Sequence, residues 1–222
     1  AIRLGYGTIG GLDSGNLSRG VSLYGDPTVV APTVEPATGT KGKFFDWMEA
    51  QTFTTSTPNL TAINNVGKYF ERTDSDGPWA TLPNAGSTGI STVTATGPGK
   101  NEASKDHASC RRSFSMLVTD GYSNGAVPTT AGNADNTGFS ILPAVGLPFV
   151  YTPSAPYRGV DKNTMADIAM YYWGRDLRTG TDGLANRVPT INTASVQNPS
   201  TWQNMSFYAV TLGIDGTLQQ NA

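Results

Sequence analysis

Strand-like runs alternate with helical patterns along this chain, and this alternation is the feature that most limits its fold. Alternating strands and helices are typical of an α/β fold whose sheet is largely parallel. We therefore predict a mostly parallel sheet flanked by helices. The predicted strands cover residues 2–9, 20–25, 112–121 and 205–216, and the predicted helices cover residues 43–51, 57–74 and 164–177.

The two longer helices carry recognisable start signals. Before the first of them, Thr57 is a residue type that caps helices, and Pro58 suits the first helical position. The second begins with Thr164 and has Asp167 three residues later, which is the spacing of a capping box. We interpret Asp167 as a capping carboxylate rather than as a ligand.

Two long polar segments show neither a helical nor a strand period. Residues 75–106 and 122–162 are rich in Gly, Pro, Ser, Thr and Asn, and we predict that both are surface insertions in a single domain covering 1–222. Charged residues make up only 14% of the chain, which also contains 26 Gly and 14 Pro. This composition is more typical of proteins outside the cell than of cytosolic enzymes.

Charge and rare residues exclude several classes of function. The formal net charge is −2, and the basic pair Arg111-Arg112 is not part of a larger basic cluster, so nucleic-acid binding is not expected. The apolar stretch 140–151 is too short and too interrupted by proline to span a membrane. One histidine, His107, and one cysteine, Cys110, do not suffice for a zinc site. Cys110 is read either as a buried apolar residue or as a thiol whose disulfide partner lies outside this chain.

The apolar run 112–121 stops at Asp120-Gly121, which raises the question of what the carboxylate does. An Asp-Gly pair is typical of a plain turn. A carboxylate at the C-terminal end of a parallel strand, however, stands where α/β sheets gather ligands. Together with the hydroxyl of Thr57, Asp120 would form part of an oxygen shell for Mg²⁺. Asp215, at the end of the last strand, is a weaker candidate, and a structural turn that closes this strand explains it better.

Several segments of the chain resemble, in this order, the PilY/PilC-type tip adhesin family of bacterial type IV pili. Two shorter pieces, "RLGYGTIG" and "FFDWM", fit the same pattern, whereas the two insertions do not match. The segments that carry the resemblance are "STPNLTAINNVGKYFERTDSDGPWA" (56–80), "CRRSFSMLVTDGYSNG" (110–125), "NTMADIAMYYWGRDLR" (163–178) and "NPSTWQNMSFYAVTLGIDGTL" (198–218).

The resemblance implies a von Willebrand factor A-type domain with a metal-ion-dependent adhesion site. That site combines an Asp-x-Ser-x-Ser motif, a threonine and a later aspartate, and Thr57 and Asp120 match the last two. The first motif is not found, because "DSGN" (13–16) and "DSDG" (74–77) lack the required serines. We therefore expect an internal piece of a longer exported protein, without the first strand and without the family's C-terminal β-propeller.

By the same resemblance, we expect a non-catalytic component of adhesion and pilus biogenesis at an extracellular pilus tip or bacterial cell surface. Its partners would be minor pilins, other tip proteins and a host or abiotic surface, and Mg²⁺ or Ca²⁺ would bind only when the upstream motif is present. A structural spacer that uses no metal is an alternative. A metal-dependent hydrolase using Asp120 is less favoured, because His107 has no evident catalytic partners. The aromatic trio Tyr171–Trp173 fits core packing better than sugar stacking.

Overall fold

The architecture comes from a computed structural model, which describes residues 3–9, 19–23, 40–52, 56–72, 78, 112–142, 147–178, 188 and 199–213. These residues form six strands and three helices, all but two of which lie within or close to segments predicted from the sequence. In chain order the elements are β1 (Arg3–Tyr6), β2 (Arg19–Leu23), α1 (Thr40–Glu49), α2 (Asn59–Glu71), β3 (Ser113–Thr119), β4 (Phe139–Ile141), β5 (Phe149–Tyr151), α3 (Met165–Trp173) and β6 (Met205–Thr211).

The strands form three separate pairs within the described residues rather than one mostly parallel sheet. β1 pairs antiparallel with β2, and β4 pairs antiparallel with β5. Only β3 and β6 are parallel, in an unbroken register that runs from Ser113 beside Met205 to Thr119 beside Thr211. Parallel neighbours need a long crossover between them, and here the crossover contains α3. The arrangement is compatible with an α/β class, but its parallel part is smaller than we predicted.

The core lies between the β3–β6 pair and the helices α2 and α3. Along β3, the side chains of Ser115, Leu117 and Thr119 are buried in alternation, as expected for a strand with one covered face. Leu117 belongs to a cluster of buried apolar residues contributed by α2, α3 and β6. The other members on these elements are Ile63 and Phe70 from α2, Ile168 and Tyr172 from α3, and Met205 from β6.

The opposite face of the β3–β6 pair is apolar and exposed. Met116 is 67% exposed, and the parallel register places it beside the exposed Tyr208. Val118 lies beside Val210, and both are exposed as well. Within the described residues the helices therefore do not flank this sheet on both sides. α2 and α3 pack against each other and share one core with Leu117, so that they cover the same face.

The segment 122–162, which we read as a loop, contains the β4–β5 pair. This pair is anchored by aromatic rings: Phe149 lies with its centroid 5.6 Å from that of Trp173 and 5.3 Å from that of Trp202. Trp202 is fully buried and donates its indole N–H to the carbonyl of Trp173 at 2.7 Å. The interpretation of Trp173 as a packing residue is confirmed. Of the other insertion, 75–106, only Pro78 is among the described residues.

The start of α3 agrees with the sequence. Thr164 accepts a hydrogen bond from the backbone N–H of Asp167 at 3.2 Å, and the Asp167 carboxylate accepts the backbone N–H of Thr164 at 2.9 Å. This reciprocal pair is a complete capping box and confirms the capping role of Asp167. None of the helices in the described ranges combines the length and hydropathy needed to cross a bilayer.

Candidate functional site at the end of β3

The C-terminal end of β3 meets the chain that leads into α2. Strand pairing continues to this edge, where the N–H of Leu212 donates to the carbonyl of Thr119 at 3.1 Å. Asp120 follows directly and is exposed. The loop after it turns back over the start of α2, so a strand end and a helix start meet at one edge of the parallel pair.

Thr57 is bound to this loop by three hydrogen bonds. Its hydroxyl donates to the carbonyl of Tyr122 at 2.7 Å. Its backbone N–H donates to the side-chain oxygen of Asn124 at 2.8 Å, and its carbonyl accepts the backbone N–H of Asn124 at 2.9 Å. The Thr57 methyl carbon also lies 3.6 Å from the point where a side chain at Gly121 would begin. Thr57 is thus held against the residues that follow Asp120.

The prediction that Thr57 caps α2 is wrong. The residue at the N-cap position is Pro58, and its side chain makes no capping hydrogen bond. The Thr57 hydroxyl donates instead to the carbonyl of Tyr122, in the loop after β3. The free N–H of Leu60 is satisfied from the same loop, by the hydroxyl of Ser123 at 3.3 Å.

Asn59 is a residue of this edge that the sequence analysis missed. It is only 1% exposed, and its side-chain N–H group donates to the carbonyl of Gly121 at 3.1 Å. Its side-chain oxygen is buried and has no hydrogen-bond partner within the described part of the chain. In the sequence, Asn59 is one polar residue in a first helical turn, where polar residues are normally exposed, so no local pattern distinguishes it.

The chemistry of this edge suits part of a shell for a hard cation. The Asp120 carboxylate is exposed, and the Thr57 hydroxyl oxygen retains lone pairs while its proton is donated to Tyr122. Mg²⁺ requires near-octahedral coordination by oxygen atoms, so one hydroxyl and one carboxylate supply a minority of its ligands. The residues present therefore fit a partial site.

The remaining candidates are placed elsewhere or are outside the described residues. Asp167 is buried at the start of α3, where it caps the helix. The other sequence-predicted positions, which lie outside the described residues, are the two incomplete first-motif segments 13–16 and 74–77, His107, Cys110, Arg111 and Asp215.

These residues define a class of structure. It is an α/β segment with a hydroxyl and a carboxylate at the C-terminal edge of parallel strands. Over 186 residues the chain is 32% identical to the type IV pilus biogenesis factor PilY1 of Pseudomonas aeruginosa strain PAK, which corresponds to 79% of this chain and 14% of that protein. The PilY1 protein of strain PAO1 is 31% identical over the same share. That of strain UCBPP-PA14 is 26% identical over 190 residues, or 82% of this chain and 14% of the relative.

These comparisons confirm the resemblance: the chain is a relative of the PilY1 pilus biogenesis factors over about four fifths of its length. It spans 14% of the length of these relatives. Their names describe a biogenesis factor rather than an enzyme, which is compatible with a non-catalytic role. No family model matches the chain, and no solved structure matches it.

Proposed function

We propose that this chain is part of an adhesion and biogenesis component at the tip of an extracellular type IV pilus. The similarity to PilY1 over most of the chain supports the pilus role. The observation that carries the adhesive part is the close docking of Thr57 against the loop that follows Asp120 at the end of β3. This edge is polar and exposes a carboxylate, as a surface that binds a partner through a metal ion would.

The domain proposed is of the von Willebrand factor A type, with Thr57 and Asp120 as two ligands of its metal-ion-dependent site. Mg²⁺ or Ca²⁺ would polarise and hold a carboxylate of the bound partner. Because this chain supplies two of the required groups, the proposal places the remaining ligands in an upstream Asp-x-Ser-x-Ser motif of the longer protein. Within the chain, Thr57 holds the loop and Asp120 presents its carboxylate.

The proposed partners are minor pilins and other tip proteins on one side, and a host or abiotic surface on the other. No catalytic step is proposed. The competing function is a purely structural spacer of the pilus tip. The two functions differ in what they require of Asp120, and this difference can be measured. A spacer needs an intact fold but not a free carboxylate at Asp120.

The test substitutes Asp120→Ala in the full-length pilus protein and measures surface piliation and adhesion separately. Because Asp120 is exposed, its loss should leave the fold and piliation intact while adhesion falls at least tenfold. Asp46→Ala, which removes an exposed carboxylate from α1, serves as the matched control and should leave both unchanged. Normal adhesion with Asp120→Ala would favour the spacer.

A further inference from the structure

A second group of oxygen atoms lies where the loop after residue 130 meets the start of α3. Asp135 and Asp167 are both buried, with 3% and 0% of their surface exposed. The backbone N–H of Asp135 donates to the Asp167 carboxylate at 3.2 Å. The side-chain oxygen Oδ2 of Asp135 accepts the backbone N–H of Gly159 at 3.0 Å. Three separate stretches of chain therefore converge on two carboxylates.

The hydrogen bonding of this group is incomplete in a specific way. Oδ1 of Asp135 and the side-chain oxygen of Asn133 are buried, and neither has a hydrogen-bond partner in the described ranges. The side-chain N–H group of Asn133 is directed to the carbonyl of Val160 at 3.4 Å, which leaves its oxygen as the free end. Buried polar atoms are normally paired, and both atoms left over here are acceptors. The group lacks a donor or a positive charge.

The electrostatics agree with this reading. Burial raises the pKa of Asp135 above its usual value, and the Gly159 N–H lowers it. The neighbouring Asp167 raises this pKa further, both through its charge and through a side-chain hydrogen bond between the two carboxyl groups. Two carboxylates that interact in a buried place repel each other unless a proton or a cation lies between them. The basic side chains nearest in the sequence, Arg158 and Lys162, are exposed.

We propose that Asp135, Asp167 and Asn133 form a binding site for Ca²⁺ that is independent of the Thr57–Asp120 edge. Ca²⁺ takes six to eight oxygen ligands in flexible geometry and accepts carboxylates, amide and backbone carbonyls, and water together. A proton shared by the two carboxylates would leave the Asn133 oxygen unpaired, whereas a cation would satisfy the free oxygens of both Asn133 and Asp135. Asp167 already accepts hydrogen bonds from Asp135 and Thr164 and would add one remaining lone pair. Among the described residues, no group of three or more His, Cys, Asp or Glu side chains is placed to hold a metal ion, so the ligands proposed here are two carboxylates and one amide oxygen.

The local sequence places oxygen-bearing side chains close together. Asn133, Asp135 and Thr137 alternate and are followed by Gly138, although the calcium-binding pattern D-x-[DN]-x-[DN]-G is matched only at Asp135 and Gly138. Thr137 tightens this turn by donating its hydroxyl to the carbonyl of Asn133 at 2.6 Å. The site would tie the loop 131–138 to the capping box of α3, because Asp167 takes part in both.

The test is a Ca²⁺ titration of the 222-residue chain in metal-free buffer, followed by calorimetry and by the thermal unfolding midpoint. Saturable binding with a rise in the midpoint is expected. Asp135→Asn should weaken binding at least tenfold while the chain stays folded, because asparagine keeps the size of the side chain and adds a donor toward Asp167. Asn133→Ala, at a partly exposed position, should weaken binding in the same direction.

Asp120→Asn is the control that separates the two sites, since it should leave this Ca²⁺ binding unchanged even if the pilus-tip proposal fails. Absence of any Ca²⁺ effect on the wild-type chain would overturn the site and indicate a proton shared between the carboxylates. A Ca²⁺ effect that persists in both Asp135→Asn and Asn133→Ala would also overturn it, because the ion would then bind elsewhere.

Discussion

Thr57 precedes a proline and a helix, a position at which threonine usually caps. In the structure its hydroxyl donates instead to the carbonyl of Tyr122. Its backbone N–H and its backbone carbonyl both form hydrogen bonds with Asn124. The difference arises because a cap is a local interaction, whereas the partner chosen here comes from 65 residues further along the chain. The polar groups of Thr57 are therefore satisfied by a loop that the tertiary fold places beside them rather than by the adjacent helix.

The metal role of this residue pair can be tested at the same scale. The 222-residue chain should bind Mg²⁺ weakly, because one hydroxyl and one carboxylate are few ligands for an ion that gives up its waters reluctantly. A longer chain that includes the upstream Asp-x-Ser-x-Ser motif should bind at least tenfold more tightly, and Asp120→Ala should remove that gain. Calorimetry with Mg²⁺ measures both. Tight Mg²⁺ binding by the short chain, insensitive to Asp120→Ala, would place the site elsewhere.

Helices α2 and α3 approach each other most closely at a glycine. A side-chain carbon at Gly67 would lie 2.3 Å from the ring of Tyr172, closer than real atoms come. The ring is fully buried and donates its hydroxyl to the side-chain oxygen of Asn64 at 3.0 Å, so it is fixed in place from the same helix. The sequence places Gly67 on the apolar face of α2, but only the packed structure shows that the lack of a side chain is what admits Tyr172.

Gly67→Ala should therefore destabilise the protein by about 1–3 kcal/mol, the usual cost of overfilling a core. The sign of this change in stability is informative, because replacing glycine by alanine in an ordinary helix stabilises the helix by about 1 kcal/mol. Lys68→Ala, at the exposed neighbouring position, should change stability by less than about 0.5 kcal/mol. Urea unfolding measures both variants.

A double-mutant cycle identifies the contact responsible. In a Tyr172→Leu background the ring is absent, so the cost of Gly67→Ala should shrink or change sign. An equal cost in both backgrounds would show that the clash with the ring is not the reason.

For the whole described structure, the main asymmetry is between the two faces of the β3–β6 pair. One face is packed under α2 and α3, and the other exposes a continuous set of apolar side chains on both strands. Parallel sheets are normally covered on both faces. The parallel register joins the exposed residues of the two strands into one surface, with the ring centroids of Phe114 and Tyr208 6.2 Å apart.

A pair of neighbouring substitutions measures this asymmetry in the 222-residue chain. Leu117→Ala removes a side chain from the packed core and should cost about 2–5 kcal/mol of unfolding free energy. Met116→Ala, one residue earlier on the exposed face, should cost less than about 0.5 kcal/mol. Chemical denaturation of both variants gives the comparison. A similar large loss for Met116→Ala would show that this face is covered in the isolated chain.

The sequence by itself determined most of the local elements near their observed positions, because each depends on short-range patterns: the period of α2, the capping box of α3, and the apolar runs of β3 and β6. It also indicated the pilus family, which the comparison with PilY1 confirms. The short strands β4 and β5 were not predicted, since their pairing depends on aromatic contacts with Trp173 and Trp202.

Tertiary structure alone decided which polar residues meet. Thr57 and the loop after Asp120 could be expected at one edge from the parallel arrangement, although their role as metal ligands stays a prediction. The burial of Asn59 and the convergence of Asp135 with Asp167 have no local signature, because each depends on a helix start and a loop that are far apart in the chain. A sequence pattern records which side chains prefer burial, whereas the pairing of buried polar atoms is set by the backbone paths that bring distant donors and acceptors together.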